Sequence, residues 1–238
     1  MCSLPSISQY LLTYFQNKNK MIKNRHLPTQ MREFNNAFSG LVRRYEPSRV
    51  FDDLLSIIVC CMARETQEDW YFEVINRYEK KELDSFVKML GHLMLIYEES
   101  LTSCSWFDPL GTFYEELASN SKKSGFGQFF TPPALCDLMA QLTLEKDQWG
   151  KEINEPCSGS GRAILAANQH APGNYYIAQD IDSVCAKMTA INMCFHHIRG
   201  EVHCMDVIAM SKPRFSLAVN YDWHKHKTPC ILKVENTS

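Results

Sequence analysis

Glu155-Pro-Cys-Ser-Gly-Ser-Gly161 stands between a strand-like piece, Lys151-Glu-Ile-Asn154, and a helix-like piece, Arg162-Ala-Ile-Leu-Ala-Ala-Asn168. Strand, glycine turn and helix in that order open a parallel α/β unit. Gly159 and Gly161 can take backbone angles closed to other residues, and lacking side chains they let a ligand lie against the backbone. Asn174-Tyr-Tyr-Ile-Ala-Gln179 then reads as a second buried strand. It ends at Asp180, about twenty residues past the glycines, where a carboxylate can bind ribose hydroxyls. The unit predicts a pocket for a nucleoside cofactor.

A lone Gly-x-Gly fits a surface turn equally well, and it is the surrounding unit that favours a pocket. A dinucleotide site normally carries Gly-x-Gly-x-x-Gly with the pyrophosphate on the helix N-terminus. Here Ile164 occupies the third glycine position and Glu155 closes the preceding strand. A carboxylate there would repel a pyrophosphate but pair with an ammonium group. The pattern therefore favours S-adenosylmethionine over NAD.

Working outward, residues up to about Ser124 carry helical spacing: Phe51, Leu54, Leu55 and Ile58, then Phe86, Met89, Leu90, Leu93 and Leu95-Ile96. Met89 and Met94 fall on these apolar faces and read as core. This predicts an all-α N-terminal domain over residues 1–124. Asn120-Ser-Lys-Lys-Ser-Gly-Phe-Gly127 is polar and glycine-bearing and reads as a linker. From 125 to 238 the pattern alternates: helix Pro133 to Leu142, strand Glu152 to Asn154, helix Arg162 to Gln169, strand Tyr175 to Ala178, helix Ser183 to His197, strand Glu201 to Cys204 and strand Phe215 to Val219. That order predicts a doubly wound α/β sheet with the ligand at the carboxyl ends of its strands.

With 238 residues and 45% hydrophobic content, the chain can bury a full core. The formal charge of −2 hides a gradient. Lys18, Lys20, Lys23, Arg25, Arg32, Arg43, Arg44 and Arg49 face only Glu33 and Glu46 within that stretch. Such a cluster suits phosphates, or else forms a solvated helix face or tail. The ten cysteines show no paired Cys-x-x-Cys spacing and read mostly as buried thiols. His196-His197 and His224-x-His226 lack companion ligands, so no metal site is predicted. Without a signal peptide or an apolar run near the ~20 residues a bilayer requires, a cytoplasmic protein away from membranes is expected.

Several blocks together resemble the adenine-N6 DNA methyltransferases, particularly the modification subunits of type I restriction systems. Gly127-Gln-Phe-Phe-Thr-Pro132 resembles the family's segment ahead of the first strand, and Glu155 to Gly161 its acidic-Pro-x-x-Gly-x-Gly loop. Gly200-Glu-Val-His-Cys-Met-Asp206 resembles a following block, and Asp108-Pro-Leu-Gly-Thr-Phe-Tyr-Glu-Glu116 a helical lead-in. The resemblance implies an α/β S-adenosylmethionine-dependent methyltransferase (Rossmann-like) domain preceded by the helical domain. It implies cofactor contacts from Phe129, Phe130, Thr131, Pro132, Glu155, Cys157, Gly159, Gly161, Asp180 and Asp206. The family's catalytic Asn-Pro-Pro-aromatic block follows its fourth strand; here Asn220-Tyr-Asp-Trp223 keeps the first and fourth positions and loses both prolines.

By resemblance, Asn220 and the Tyr221 carbonyl would accept from the target amine and Trp223 would stack on a base turned out of the duplex. The other reading of Asn220 to Trp223 is a polar turn with Trp223 packed on the core. After Trp223 only Thr228-Pro-Cys-Ile-Leu-Lys-Val234 can add a strand, so the later sheet strands and a target-recognition domain are expected to be missing. DNA would be the substrate, with a separate specificity subunit or a second copy completing the assembly. Two alternatives stay open: a degenerate module that binds S-adenosylmethionine or DNA without transfer, and a methyltransferase acting on RNA or protein.

Overall fold

Apolar residues recurring every three or four positions decide the first half of the molecule. The computed structural model describes residues 22–103, 105–120 and 129–234. It contains helices α1 (Arg32–Leu41), α2 (Pro47–Cys61), α3 (Glu68–Ile75), α4 (Lys80–Thr102) and α5 (Pro109–Asn120). α2 starts on a proline, whose missing N–H is no loss in a first turn, and buries Val50, Phe51, Leu54, Leu55 and Ile58. α4 opens on a reciprocal capping box between Glu79 and Glu82. Phe113 of α5 packs edge-to-face with Phe34 and Phe38 of α1, with centroids 4.8 and 4.9 Å away. Met89 lies in this core as expected, whereas Met94 and Leu95 point outward, 50% and 62% exposed.

The second half contains α6 (Pro133–Thr143), β1 (Glu152–Glu155), α7 (Arg162–His170), β2 (Tyr175–Asp180), α8 (Ser183–Phe195), β3 (Arg199–Cys204), β4 (Phe215–Val219), the single turn α9 (Trp223–His226) and β5 (Ile231–Val234). The strands pair in the order β1-β2-β3-β4-β5. β1, β2 and β3 run parallel, while β4 runs antiparallel to β3 and β5 antiparallel to β4. The α/β class stands as read from the sequence.

The expected double winding needs correction in two respects. Burial alternates along β2 and β3, with Tyr176, Ala178 and Val202 buried on one face and Tyr175, Ile177, Glu201 and His203 half-buried on the other, so a single face carries the core. The open face is laced by polar contacts: the Tyr175 hydroxyl donates to Glu201, and Arg199 lies over the Tyr175 ring. Secondly, β4 reverses. A parallel crossover takes a dozen or more residues and usually a helix, and residues 205–214 hold only a turn. The Arg214 N–H donates to the Cys204 carbonyl at 2.8 Å and starts a hairpin instead.

Helical and sheet halves share one apolar cluster that extends from Ile22 to Ile231. α2 is clamped to α8 by an ion pair between the buried Lys187 and the partly exposed Asp52, supplemented by a hydrogen bond from Lys187 Nζ to Ser56 Oγ. The proposed linker lies mostly outside the described residues. So do Lys18 and Lys20 of the basic stretch. Of that stretch, Arg44 pairs with Glu79 and Glu82 and Arg49 with Asp53, so acids from later turns neutralise part of it.

Candidate cofactor site

The glycine turn is held in shape from every side. Gly159 and Gly161 adopt φ of +57° and +92°, which side chains disfavour, and Gly161 is the residue from which α7 starts. The Ser158 N–H donates to the Gln179 carbonyl at 2.9 Å, extending the β2 pairing into the turn. The Gly159 N–H donates to Asp180 Oδ2 at 2.9 Å, and the Asp182 N–H to Asp180 Oδ1 at 2.8 Å. Thr189 of α8, fully buried, donates to the Gly159 carbonyl at 2.9 Å.

Below the turn sits a buried polar hub. Asp108 caps α5 through the Gly111 N–H at 2.7 Å and also accepts from Ser160 Oγ, Arg162 Nε and Asn192 Nδ2 at 2.6 to 2.8 Å. Asn192 in turn donates to the Ser160 carbonyl and accepts from the Tyr97 hydroxyl of α4. The close approach demands glycine at 111, since a Cβ there would lie 2.0 Å from Asp108 Oδ2 and 2.5 Å from Ser160 Oγ. Arg162 spans Asp108 and Glu115, with Nη2 to Glu115 Oε2 at 2.8 Å. Burial works against the Arg162 charge, yet the two carboxylates hold its pKa above the ordinary guanidinium value.

Above the turn, Phe129, Phe130 and Thr131 close one wall of a cavity of about 570 Å³, a size that suits a small ligand. Met139, Glu155, Cys157, Ser158, Gly159, Ser160, Arg162, Ala163, Asp180 and Cys185 complete its lining. The Phe130 ring lies on Gly159, where a Cβ would come within 2.9 Å of the ring. The cavity opens beyond the carboxyl ends of β1 and β2. Of its charged groups Glu155 and Asp180 are anionic, and the Arg162 cation is already paired twice. Burial raises the Asp180 pKa above the usual carboxylate value, opposed by the N–H groups it accepts. The Gly159 N–H is spent on Asp180, so the turn does not present the bare N–H cradle a phosphate needs. Each Asp180 oxygen keeps a lone pair for a ligand hydroxyl. These features fit a cationic nucleoside such as S-adenosylmethionine.

A larger concavity of about 760 Å³ lies between the start of α3 and β5, lined by Glu65, Glu68, Asp69, Trp70 and Lys233 among others. It lacks a glycine turn and any buried polar hub, so the smaller cavity is the candidate site.

Residues read from the sequence thus divide into four groups. Phe129, Phe130, Thr131, Glu155, Cys157, Gly159 and Asp180 line one cavity. Pro132, Gly161 and Asp206 are not in its lining: Pro132 precedes α6, Gly161 precedes α7, and Asp206 follows β3 with its Oδ1 accepting the Ala209 N–H at 3.0 Å. Gly127 and Gln128 of the aromatic block lie outside the described residues. Asn220 and Trp223 are at the other end of the sheet, because reversal of β4 sets Val219 beside Gly200 and Phe215 beside Cys204. One strand length, roughly 15 Å, separates them from the cavity end.

Asn220 is fully buried at φ +52° and its amide is saturated. Its Nδ2 lies within 3.0 to 3.3 Å of the Met193, Cys194 and Ile198 carbonyls, and its Oδ1 accepts the Cys230 N–H at 3.0 Å. Trp223 stacks on His197 with centroids 4.2 Å apart. The structure thus places Asn220 and Trp223 at the far end of the sheet from the cavity, where the Asn220 amide ties the end of β4 to Cys230 and to the carboxyl end of α8. Sequence reading missed Arg162, Glu115, Thr189 and Asn192. The Asp108-Pro-Leu-Gly run carried a usable signal, a capping residue followed by proline at the first helical position.

The geometry sets a glycine turn and an anionic cavity on a parallel βαβ unit. The family described as N-6 DNA Methylase matches residues 106–226, more than half of the chain, and the chain belongs to that family. It is 26% identical over 133 residues to the type I restriction enzyme MpnII methylase subunit of Mycoplasma pneumoniae. That match covers 52% of this chain and 23% of the subunit, so the chain spans about a quarter of that relative's length. The solved type I restriction-modification system methyltransferase subunit from Streptococcus thermophilus aligns over 88% of this chain and 56% of its own, at 16% identity and a TM-score of 0.44. Among the described residues no helix is long and apolar enough to cross a membrane.

Proposed function

We propose that the chain is the cofactor-binding portion of an adenine-N6 DNA methyltransferase of the restriction-modification kind, with S-adenosylmethionine as the methyl donor. The observation that carries the reading is the anionic glycine-turn cavity, in which Asp180 holds the Gly159 N–H. Asp180 would take the ribose hydroxyls, Glu155 the ammonium, and Phe129 to Thr131 would cover the ligand, with Gly161 and Asp206 supporting the rim. On this reading the chain divides at about residue 124 into a helical unit, whose α4 and α5 shape the turn, and an α/β unit. S-adenosylmethionine supplies a methyl group on a cationic sulfur, and the anionic lining of the cavity favours that charge. DNA in the cytoplasm is the substrate, recognised through a separate specificity subunit or a second copy.

The position of Asn220 favours a second reading alongside: this chain binds the cofactor without transferring the methyl group by itself. Among the described residues no asparagine-led turn borders the cavity. Calorimetric titration with S-adenosylmethionine, followed by transfer of labelled methyl to unmethylated DNA, tests both. Saturable binding supports the pocket and its absence refutes it. Transfer by the chain alone would refute the displacement of Asn220 from the chemistry, whereas binding without transfer supports it.

A further inference from the structure

The wall of the cavity formed by Phe129 to Thr131 is tethered through its backbone to a charged side chain. The Phe130 N–H donates to Glu115 Oε1 at 3.0 Å, and the same carboxylate receives both terminal nitrogens of Arg162, at 3.2 and 2.8 Å. Arg162 is buried as the first residue of α7, directly after the glycine turn, and its guanidinium carbon lies 5.4 Å from the centre of the Phe130 ring. Its Nε is anchored on Asp108 at 2.8 Å. One guanidinium therefore joins the glycine turn, the first helical layer and the aromatic wall. The Phe130 ring in turn rests on Gly159. A bidentate arginine holds a carboxylate in direction as well as position.

We propose that Glu115 and Arg162 are positioning residues that pre-shape the cofactor cavity by fastening Phe130 against the glycine turn before any ligand arrives. Neither needs to touch the ligand: Arg162 sets the carboxylate of Glu115, and Glu115 sets the backbone of Phe130. The role rests on the cofactor reading above. Releasing the tether leaves Phe130 free to leave Gly159, so affinity falls because the wall must then be ordered at the moment of binding.

Glu115→Ala tests this with two readouts. Glu115 is about a third exposed at its side chain, 29%, and its removal leaves the buried Asp108–Arg162 pair intact, so the fold is retained. Hydrogen exchange at the Phe130 amide in the unliganded protein should accelerate by roughly tenfold to a hundredfold, the loss expected for one charge-assisted hydrogen bond. Affinity for S-adenosylmethionine should fall by about tenfold or more on the same grounds. Glu115→Gln, which keeps an acceptor for Phe130, should recover most of the exchange protection. Unchanged exchange at Phe130 overturns the tether whatever the ligand does. Faster exchange with undiminished affinity overturns its role in binding. Wild-type protein that fails to bind the cofactor overturns the cofactor reading and with it the role, and is distinguished by appearing in the wild type, while the exchange data still judge the tether.

Discussion

Replacing Asn220 with alanine should damage the fold and leave the cofactor cavity alone. Three terms set the size. Loss of Oδ1 strands the buried Cys230 N–H, at about 1–3 kcal/mol for an unsatisfied donor. Loss of Nδ2 removes a donor that serves the carbonyls ending α8, at about 1 kcal/mol net. Alanine must also take up φ +52°, a left-handed conformation costing it about 1 kcal/mol that asparagine tolerates. Partial relaxation makes about 3 kcal/mol a sound central value, and at about 2–4 °C per kcal/mol for a chain of this size the melting temperature should drop by roughly 6–12 °C. Asn220→Gly isolates the backbone contribution by recovering about 1 kcal/mol of it. Thermal unfolding followed by circular dichroism, paired with calorimetric titration below the transition, measures both sides. A variant melting within 2 °C of wild type (well under the roughly 6 °C floor), or one that folds normally but loses cofactor affinity, would refute the placement of Asn220 as a strand-end clamp.

Asp180→Ala should weaken S-adenosylmethionine binding about thirtyfold, because a charged acceptor for ligand hydroxyls and the partner of the Gly159 N–H vanish together; unchanged affinity in titration would sink the pocket assignment. Gly111→Ala should destabilise by about 2 kcal/mol or more through overpacking against Asp108 and Ser160, while Gly91→Ala, exposed inside α4 with nothing within 4 Å of its new methyl, should stabilise by about 0.5–1 kcal/mol. Urea midpoints that rank the two the other way would contradict the packing. Burial lowers the His196 pKa below its ordinary 6.5, opposed by the bond its Nδ1–H donates to the Asn192 carbonyl; its Nε2 is buried without a partner. The unfolded chain then binds more protons than the folded one below about pH 6.5, so stability should decline on acidification from there. Comparing urea midpoints at neutral and mildly acid pH for wild type and His196→Gln checks this, since the variant should show a shallower decline.

What was legible in the sequence was mostly local. The βαβ unit follows from the strand, glycine turn and helix at 151–168, and all its elements appear within two residues of their expected bounds, the strand Tyr175–Asp180 gaining two residues at its carboxyl end. The cavity lining came out of the same stretch because a glycine turn and the acid after the next strand are forced together by the parallel pairing. The reversal of β4 was also encoded, in a segment too short and aperiodic for a crossover, and that loop rather than order along the chain sets where Asn220 lies. The hub escaped for a different reason. Tyr97, Asp108, Arg162 and Asn192 are far apart in sequence, and polar residues at scattered positions look like surface until a tertiary fold gives them partners. The exposed Met94 and Leu95 erred the other way, as a 23-residue helix carries more apolar positions than one buried stripe requires.

The Asp108 hub also fixes the order in which this molecule can come apart. A glycine turn that takes its shape from α4, α5 and α8 exists only while all three are docked, so the cavity is a late product of assembly and an early casualty of its loss. In rising denaturant, ligand affinity should disappear before the far-ultraviolet signal of the helices and sheet does. Binding competence thereby reports on the seating of the whole helical layer, and simultaneous loss of both signals would show instead that turn and layer unfold as one cooperative unit.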